Sequence, residues 1–230
     1  MSGRRSAAAA ATRVVIVAHG QPSDPGPQQA VIESLAAAVG ALLPGADLRG
    51  ATLAAPGALK AAVAGALAPV VYPFFMAEGW FTRRELPRQL AAAGAEDARR
   101  MAPFGTEPGL TAFIDEVLAG VDLVLLAGHG SQRSKTSGDT LEAVAAGLRA
   151  AGRHQRVVTG YVEQAPWLAD AARALGDGTC LPFFALSANH VTEDIPTALR
   201  AGGFDGPLLP PIGEHPGVPA LIAARLRATT

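Results

Sequence analysis

The sequence predicts an α/β protein built of two similar three-layer α/β/α domains, each with a parallel four-stranded sheet. Short apolar runs rich in Val, Ile and Leu alternate along the chain with alanine-rich stretches of helical length. Proline recurs where the first turn of a helix is expected, and glycine recurs just past helix ends. The second half also repeats motifs of the first at matching spacings, which indicates an internal duplication.

The predicted strands are nearly continuous apolar runs, as in parallel sheets that helices cover on both faces. They span residues 13–18, 47–53, 69–75 and 99–103 in the first half, and 122–127, 156–163, 179–184 and 207–209 in the second. The helices span 28–43, 56–67, 83–93 and 108–119, then 138–151, 165–175, 193–201 and 216–228. We expect a disordered tail over 1–12, an N-terminal domain over 13–120 and a C-terminal domain over 121–230.

Composition excludes several classes of protein. The chain has 230 residues, of which 49% are hydrophobic and 17% charged, with a formal net charge of −1. This balance predicts an ordered globular protein and argues against nucleic-acid or membrane-surface partners. The single cysteine, Cys180, excludes an internal disulfide and a cysteine-rich metal site. Since no apolar stretch reaches the roughly 20 residues of a membrane span, we expect a soluble cytoplasmic protein.

The repeats are anchored by two pairs of motifs. VVIVAHG and LVLLAGHG close the first predicted strand of each half, and PFFMAEGWFTRRELP and PFFALSANHVTEDIP follow the third. The spacings agree as well, because His19 precedes Pro56 by 37 positions and His129 precedes Pro166 by the same interval. This agreement allows the halves to be aligned residue by residue.

Aligned in this way, the halves differ where chemistry is expected. Glu163 stands opposite Leu53, and His190 stands opposite Phe81. The second half therefore keeps a His/Glu/His set with His129, whereas the first half has replaced two of the three members with apolar residues. A purely structural role would be expected in both copies, so the loss from one copy indicates function.

His129, Glu163 and His190 each follow or end a predicted strand of the second sheet. Ligands of open α/β sheets bind at the carboxyl ends of the strands, where these side chains should meet. Each residue alone could be structural, the histidine in a turn and the glutamate at a helix start. Together, two imidazoles and a carboxylate suit a divalent first-row transition metal better than magnesium, which prefers more carboxylates. We predict that this set binds a metal and acts in catalysis.

The motifs GHGS, GYVEQAPWLAD and PFFALSANHVTEDIP resemble those of class II tetrapyrrole chelatases. The resemblance is greatest to the sirohydrochlorin chelatases of siroheme and cobalamin synthesis, and it spans nearly the whole chain, once per half. It implies two facing α/β domains, with His129 and His190 as metal-handling histidines and Glu163 beside them. It also implies a sirohydrochlorin-like tetrapyrrole and Co²⁺ or Fe²⁺ as substrates, with no cofactor beyond that metal.

A flat apolar ring that carries carboxylates needs apolar walls together with Arg, Lys or hydroxyl groups. The segment SQRSKTS and the facing segment WFTRR supply both kinds of group. The predicted substrate-binding residues are Ser131, Arg133, Lys135, Trp80, Phe81, Arg83 and Arg84. The alternative is that both segments are ordinary solvated surface. We interpret Asp194 as an acidic residue favoured at a helix N-terminus, and leave Glu193 open between that role and a relay.

Three other functions are compatible with parts of the sequence pattern. A histidine phosphatase needs an Arg before its His-Gly pair, but Ala18 and Gly128 stand there. An α/β-hydrolase needs a G-x-S-x-G turn, which the chain lacks. A non-catalytic tetrapyrrole or metal carrier needs nearly the same residues as a chelatase and stays open. Two complete halves make a monomer sufficient, and a dimer remains possible.

Overall fold

In the computed structural model, residues 12–229 are described apart from Arg133. The predicted tail over 1–12 therefore lies outside the described residues except for Thr12. No helix in the described part of the chain is long and apolar enough to cross a membrane.

The first half folds around a parallel sheet. Its elements are β1 (Arg13–Ala18), α1 (Pro25–Ala41), β2 (Asp47–Thr52), α2 (Ala58–Val63), β3 (Val70–Pro73), α3 (Leu86–Ala92), β4 (Arg99–Arg100) and α4 (Leu110–Val117). The strands run in the order β2-β1-β3-β4, and every pair is parallel. This half confirms the predicted four-stranded parallel sheet, although β4 is only a two-residue edge strand.

The second half has the same strand order but a smaller sheet. Its elements are β5 (Leu123–Gly128), α5 (Thr136–Ala151), β6 (Arg156–Tyr161), α6 (Leu168–Leu175), β7 (Thr179–Pro182), α7 (Ile195–Gly202) and α8 (Val218–Arg227). Within the described residues this sheet has three parallel strands, β6-β5-β7, so the predicted fourth strand is wrong. Residues 207–209 contain Pro207, which cannot donate to a ladder, and only Leu208 forms a bridge, to Cys180.

Successive side chains of a strand point to opposite faces of the sheet, so alternate residues of each central strand pack in different cores. Val15 and Val17 face outward to α2 and α3, whereas Val14 and Ile16 face inward. In the second half Leu125 faces α6 and α7, and its neighbours on β5 face the same inner core as Ile16. Each sheet is thus buried on both faces, which explains its uninterrupted apolar sequence.

The inner core belongs to both halves. Helices α1, α4, α5 and α8 lie between the two sheets and contribute Ile32, Ile114, Leu148 and Ile222 to one apolar cluster. Helix α4 closes the first half but packs on α5, and α8 closes the chain but packs on α1. The Arg227 guanidinium donates to the Leu42 carbonyl oxygen at 2.7 Å. This packing holds the carboxyl edges of both sheets on one side of the molecule. The division of the chain into two domains at residue 120 stays a prediction.

Candidate metal centre and aromatic cavity

Strands β1 and β5 each end in a His-Gly turn that sets the histidine ring. The His19 Nδ1 lies 2.5 Å from the Gly20 carbonyl oxygen, and the His129 Nδ1 lies 2.7 Å from that of Gly130. A carbonyl oxygen only accepts, so Nδ1 carries the proton in both rings. Both glycines have positive φ, +78° and +72°, and a side chain there would be strained. The turn explains the Gly after each histidine and leaves Nε2 as the basic nitrogen.

The structure brings together the three residues predicted as the metal site. His129, Glu163 and His190 each offer one ligand atom, and these atoms lie within 4.8 Å of one another. The His129 and His190 ring centroids are 4.4 Å apart with planes at 85°. The Glu163 Oε2 lies 3.8 Å from the His129 Nδ1. His129 and His190 are partly exposed and Glu163 is exposed, so the cluster can receive an ion from solvent.

His190 opens a π-helical turn, His190–Asp194, that leads into α7. Its Nδ1 lies 2.6 Å from the Asp194 Oδ2, four residues further along the turn. Wide turns of this kind are frequent at functional sites. Asp194 is a contact of the site that the sequence interpretation missed. The available signal was its position four residues after a predicted ligand, which places both side chains on one helical face.

The first half builds the same frame without the ligands. Phe81 opens the matching π-helical turn, Phe81–Glu85, and its ring centroid lies 4.1 Å from that of His19 with planes at 70°. The aromatic ring therefore takes the place that His190 has beside His129. The acid at the end of this turn, Glu85, is held instead by Arg88 and Gln89 at 2.6 and 2.8 Å.

The backbone hydrogen bonds of the two sheets show which residue of the first half corresponds to Glu163, and they correct the sequence alignment there. The backbone N–H of Glu163 donates to the His129 carbonyl oxygen at 2.9 Å, and that of Ala54 donates to the His19 carbonyl oxygen at 2.9 Å. Ala54, and not Leu53, is therefore the structural counterpart of Glu163. Leu53 matches Val162, since both side chains pack on the outer cores. The alignment is wrong by one residue because the two halves distribute their loop residues differently around this strand end.

The His-Gly turns and the two PFF segments enclose a cavity of about 500 Å³, called here the central cavity. Its wall is mainly apolar and aromatic, and residues of both halves contribute to it. They include His19, Phe74, Phe75, Met76, Trp80, Phe81, His129, Phe183, Phe184, Leu186 and His190. The Gln28 amide donates to the Ser187 carbonyl oxygen at 2.8 Å and joins the halves at the rim. The volume is in the range of about 300–1,000 Å³ that small-molecule sites have.

The predicted substrate-binding residues are placed unequally around the central cavity. Trp80 and Phe81 line it and are 62% and 38% exposed, so their faces are available. Arg83 pairs with Glu78 at 2.7 Å and lines a neighbouring cavity, and Arg84 is exposed.

On the opposite rim Ser134, Thr136 and Ser137 line the central cavity, although the sequence interpretation named their neighbours. Lys135 is exposed at the start of α5. The Ser131 backbone N–H donates to the Gln164 Oε1 at 2.8 Å. Arg133 lies outside the described residues. The loop is therefore at the predicted rim, and the role of each of its side chains stays a prediction.

Two of three comparisons with known proteins identify relatives of the chain. The CbiX family model matches residues 123–229, in the half that contains His129, Glu163 and His190. A comparison with curated proteins found no match. Among solved structures, two distant ones share the fold. SirB from Bacillus subtilis, solved with Fe³⁺, is 15% identical with a TM-score of 0.72 over 95% of each chain.

The second distant structure is DR2241 from Deinococcus radiodurans, a multi-domain protein with structural similarity to chelatases and two additional domains. It is 22% identical with a TM-score of 0.69, over 93% of this chain and 54% of its own. A much nearer structure is CbiX, the terminal enzyme for siroheme biosynthesis in denitrifying bacteria. It is 49% identical with a TM-score of 0.86, over 95% of this chain and 99% of its own. On this identity over nearly the full length of both chains, the protein belongs to the CbiX family.

Proposed function

We propose that the protein inserts Co²⁺ or Fe²⁺ into a sirohydrochlorin-like tetrapyrrole, in siroheme or cobalamin biosynthesis. The observation that carries the proposal is the His129/Glu163/His190 cluster, whose two histidines line an open aromatic cavity. The CbiX relative acts in siroheme biosynthesis, and its 49% identity extends over 95% of this chain. The protein is then a metal chelatase, a lyase, and the metal ion is its substrate.

The donor set suits a metal that has to leave again. Two imidazoles and one carboxylate bind Fe²⁺ or Co²⁺, and a three-residue set leaves coordination positions free for the ring nitrogens. Because the two histidines are partly exposed and Glu163 is exposed, the hydrated ion can enter. A closed four-ligand site would hold the ion too firmly for transfer. The Glu163 carboxylate offsets the charge of the ion while it is bound.

Insertion also releases the protons of two pyrrole N–H groups for each divalent ion. The Nε2 atoms of His129 and His190 are the basic nitrogens at this wall, because the Nδ1 atoms of both rings are engaged in hydrogen bonds. After the ion has moved to the ring, these nitrogens can accept the protons. The nearby Glu163 carboxylate stabilises the imidazolium that forms.

The macrocycle is proposed to lie in the central cavity between the halves. Trp80, Phe81, Phe75 and Phe184 offer flat apolar surface for the ring. The carboxylates of the ring point outward to the rims, where Arg84 and Lys135 are exposed and the loop hydroxyls line the opening. Arg83 can join them only by leaving Glu78. In this arrangement the first half is a substrate wall and the second half handles the metal.

A carrier that binds a tetrapyrrole or metal without turnover is the alternative. The deciding experiment mixes the purified protein with an excess of sirohydrochlorin and Co²⁺ or Fe²⁺ and follows the visible absorbance of the metallated ring. We expect many product molecules per protein chain. Product that stops at one equivalent per chain, or a rate equal to that without protein, would exclude a chelatase and favour the carrier.

The remaining expectations follow from this proposal. No cofactor is needed besides the substrate metal, and a monomer suffices because both walls of the central cavity come from one chain. The matching turns and strand orders of the halves favour their origin by internal duplication. We expect the reaction to take place in the cytoplasm.

A further inference from the structure

The two ends of the second π-helical turn are joined by a short contact. The His190 Nδ1 lies 2.6 Å from the Asp194 Oδ2, and the side chains are 34% and 49% exposed. An ionised carboxylate only accepts hydrogen bonds, so the proton of the ring stands on Nδ1. A distance this short is typical of a charge-assisted hydrogen bond.

This contact decides which nitrogen of His190 can bind a metal. A neutral imidazole has one lone pair, and with the proton on Nδ1 that lone pair is on Nε2. His129 reaches the same state through a different acceptor, the Gly130 carbonyl oxygen at 2.7 Å. Both histidines of the cluster are therefore set as Nε2 ligands by acceptors outside the cluster. Hydrogen bonding of this type orients metal-binding histidines and raises their basicity.

A role for Asp194 in capping the helix does not account for the contact. Asp194 directly precedes α7, but its side chain makes no capping hydrogen bond there. Within the described part of the chain, its carboxylate forms no ion pair other than the one with His190. The carboxylate is thus directed at the imidazole and away from the backbone of the helix.

The first half provides an internal comparison. Its π-helical turn also ends in an acid, Glu85, but begins with Phe81, which has no proton to donate. Glu85 accepts hydrogen bonds from Arg88 Nη2 and Nε at 2.6 and 2.9 Å on the surface of α3. In the second half the acid, Asp194, contacts the first residue of its turn, His190, which is a ligand of the proposed metal site.

We propose that Asp194 is a positioning residue for His190: it holds the proton on Nδ1 and so presents Nε2 to the metal. This inference rests on the proposed metal site for its purpose. Its direct consequence is the tautomer of His190 in the metal-free protein, which can be measured whether or not the protein is a chelatase.

The first experiment records long-range ¹H–¹⁵N correlations of the imidazoles in the metal-free protein, at about pH 8, where a histidine in water is neutral. We expect His190 as the Nδ1–H tautomer in the wild type. Asp194→Ala should give a mixture or the Nε2–H tautomer, and Asp194→Glu should restore the wild-type state. Glu193→Gln and Glu85→Gln are matched controls that remove a neighbouring acid and the equivalent acid of the first half, and neither should alter the signal.

The second experiment measures the affinity for Co²⁺ alone by competition with a chromogenic chelator. Asp194→Ala and Asp194→Asn should bind Co²⁺ about 10- to 100-fold more weakly. Asp194→Glu should stay near the wild type, and both controls should be unchanged. Circular dichroism checks the fold, and the asparagine variant keeps the shape of the side chain if the alanine variant unfolds.

An unchanged His190 tautomer in folded Asp194→Ala or Asp194→Asn would overturn the proposal, as would unchanged Co²⁺ affinity. A wild-type protein that shows the expected tautomer and Co²⁺ binding but no metal insertion would leave Asp194 as a positioning residue and refute only the chelatase function.

Discussion

The two halves share one backbone framework but carry different side chains at the matching positions. His129 meets His190 at a centroid distance of 4.4 Å, and His19 meets Phe81 at 4.1 Å, both rings nearly edge to face. Both histidines are tethered by the carbonyl of the following glycine. The frame of strand end, His-Gly turn and π-helical turn therefore does not itself create a metal site. The site depends on the residues at two further positions of that frame.

The largest effect is expected from removing the histidines one at a time. His129→Ala and His190→Ala should lower the rate of metal insertion by about 10²–10⁴-fold, since each supplies a ligand and a proton acceptor. His19→Ala should retain most of the rate, because Phe81 and Ala54 leave its imidazole without a partner ligand. Steady-state rates of the three variants, with the fold checked by circular dichroism, test this asymmetry. Equal inactivation by folded His19→Ala would mean that both halves serve one site.

Rebuilding the site in the first half tests the corrected register. Ala54→Glu combined with Phe81→His should create a second Co²⁺ site with His19, because it supplies the missing ligands at the matching positions. Equilibrium dialysis should then find an additional equivalent of Co²⁺ per chain. The control pair, Leu53→Glu with Phe81→His, should not, since Leu53 packs on the outer core. A new site in the control pair, or none in the first pair, would refute the register.

A smaller effect is expected at the substrate wall. Trp80 lines the central cavity and is 62% exposed, so a bound macrocycle can cover its face. Trp80→Ala should raise the KM for the tetrapyrrole by about 10-fold, the loss expected for one aromatic contact. The kcat should stay near that of the wild type because the metal ligands are untouched. Trp167→Ala, which removes an exposed tryptophan of the second half, is the control. A kcat loss at constant KM would contradict the role of Trp80 as a wall.

The smallest effect concerns Glu85, the first-half counterpart of Asp194. Its hydrogen bond with Arg88 lowers the pKa of this carboxyl to about 2, from 4.5. A depressed carboxyl pKa adds stability above the unfolded-state value, and this contribution is lost as the pH falls from 4.5 towards 2. Glu85→Gln should therefore unfold at a slightly lower temperature than the wild type at neutral pH. Thermal melts at several pH values should show the difference shrinking with acidity, and a constant difference would contradict the assignment.

The sequence by itself determined the parallel α/β class, the positions of seven of the eight predicted strands and the grouping of His129, Glu163 and His190. These features depend on local patterns: apolar runs bounded by glycine and proline, and polar residues at strand ends, which meet at one edge in any parallel sheet. The absence of the His/Glu/His set from the first half could also be predicted from the repeat alone.

The tertiary structure alone decided the features that depend on register and on packing between distant segments. Ala54 rather than Leu53 matches Glu163, because a shift of one residue in a loop cannot be detected when the flanking spacings agree. The fourth strand of the second sheet is reduced to a bridge because Pro207 cannot continue the ladder. Helices α4 and α8 pack across the halves, because apolar faces show that a helix is buried without showing against which partner. Asp194 is directed at His190, and not at α7, because the two side chains share one face of a π-helical turn.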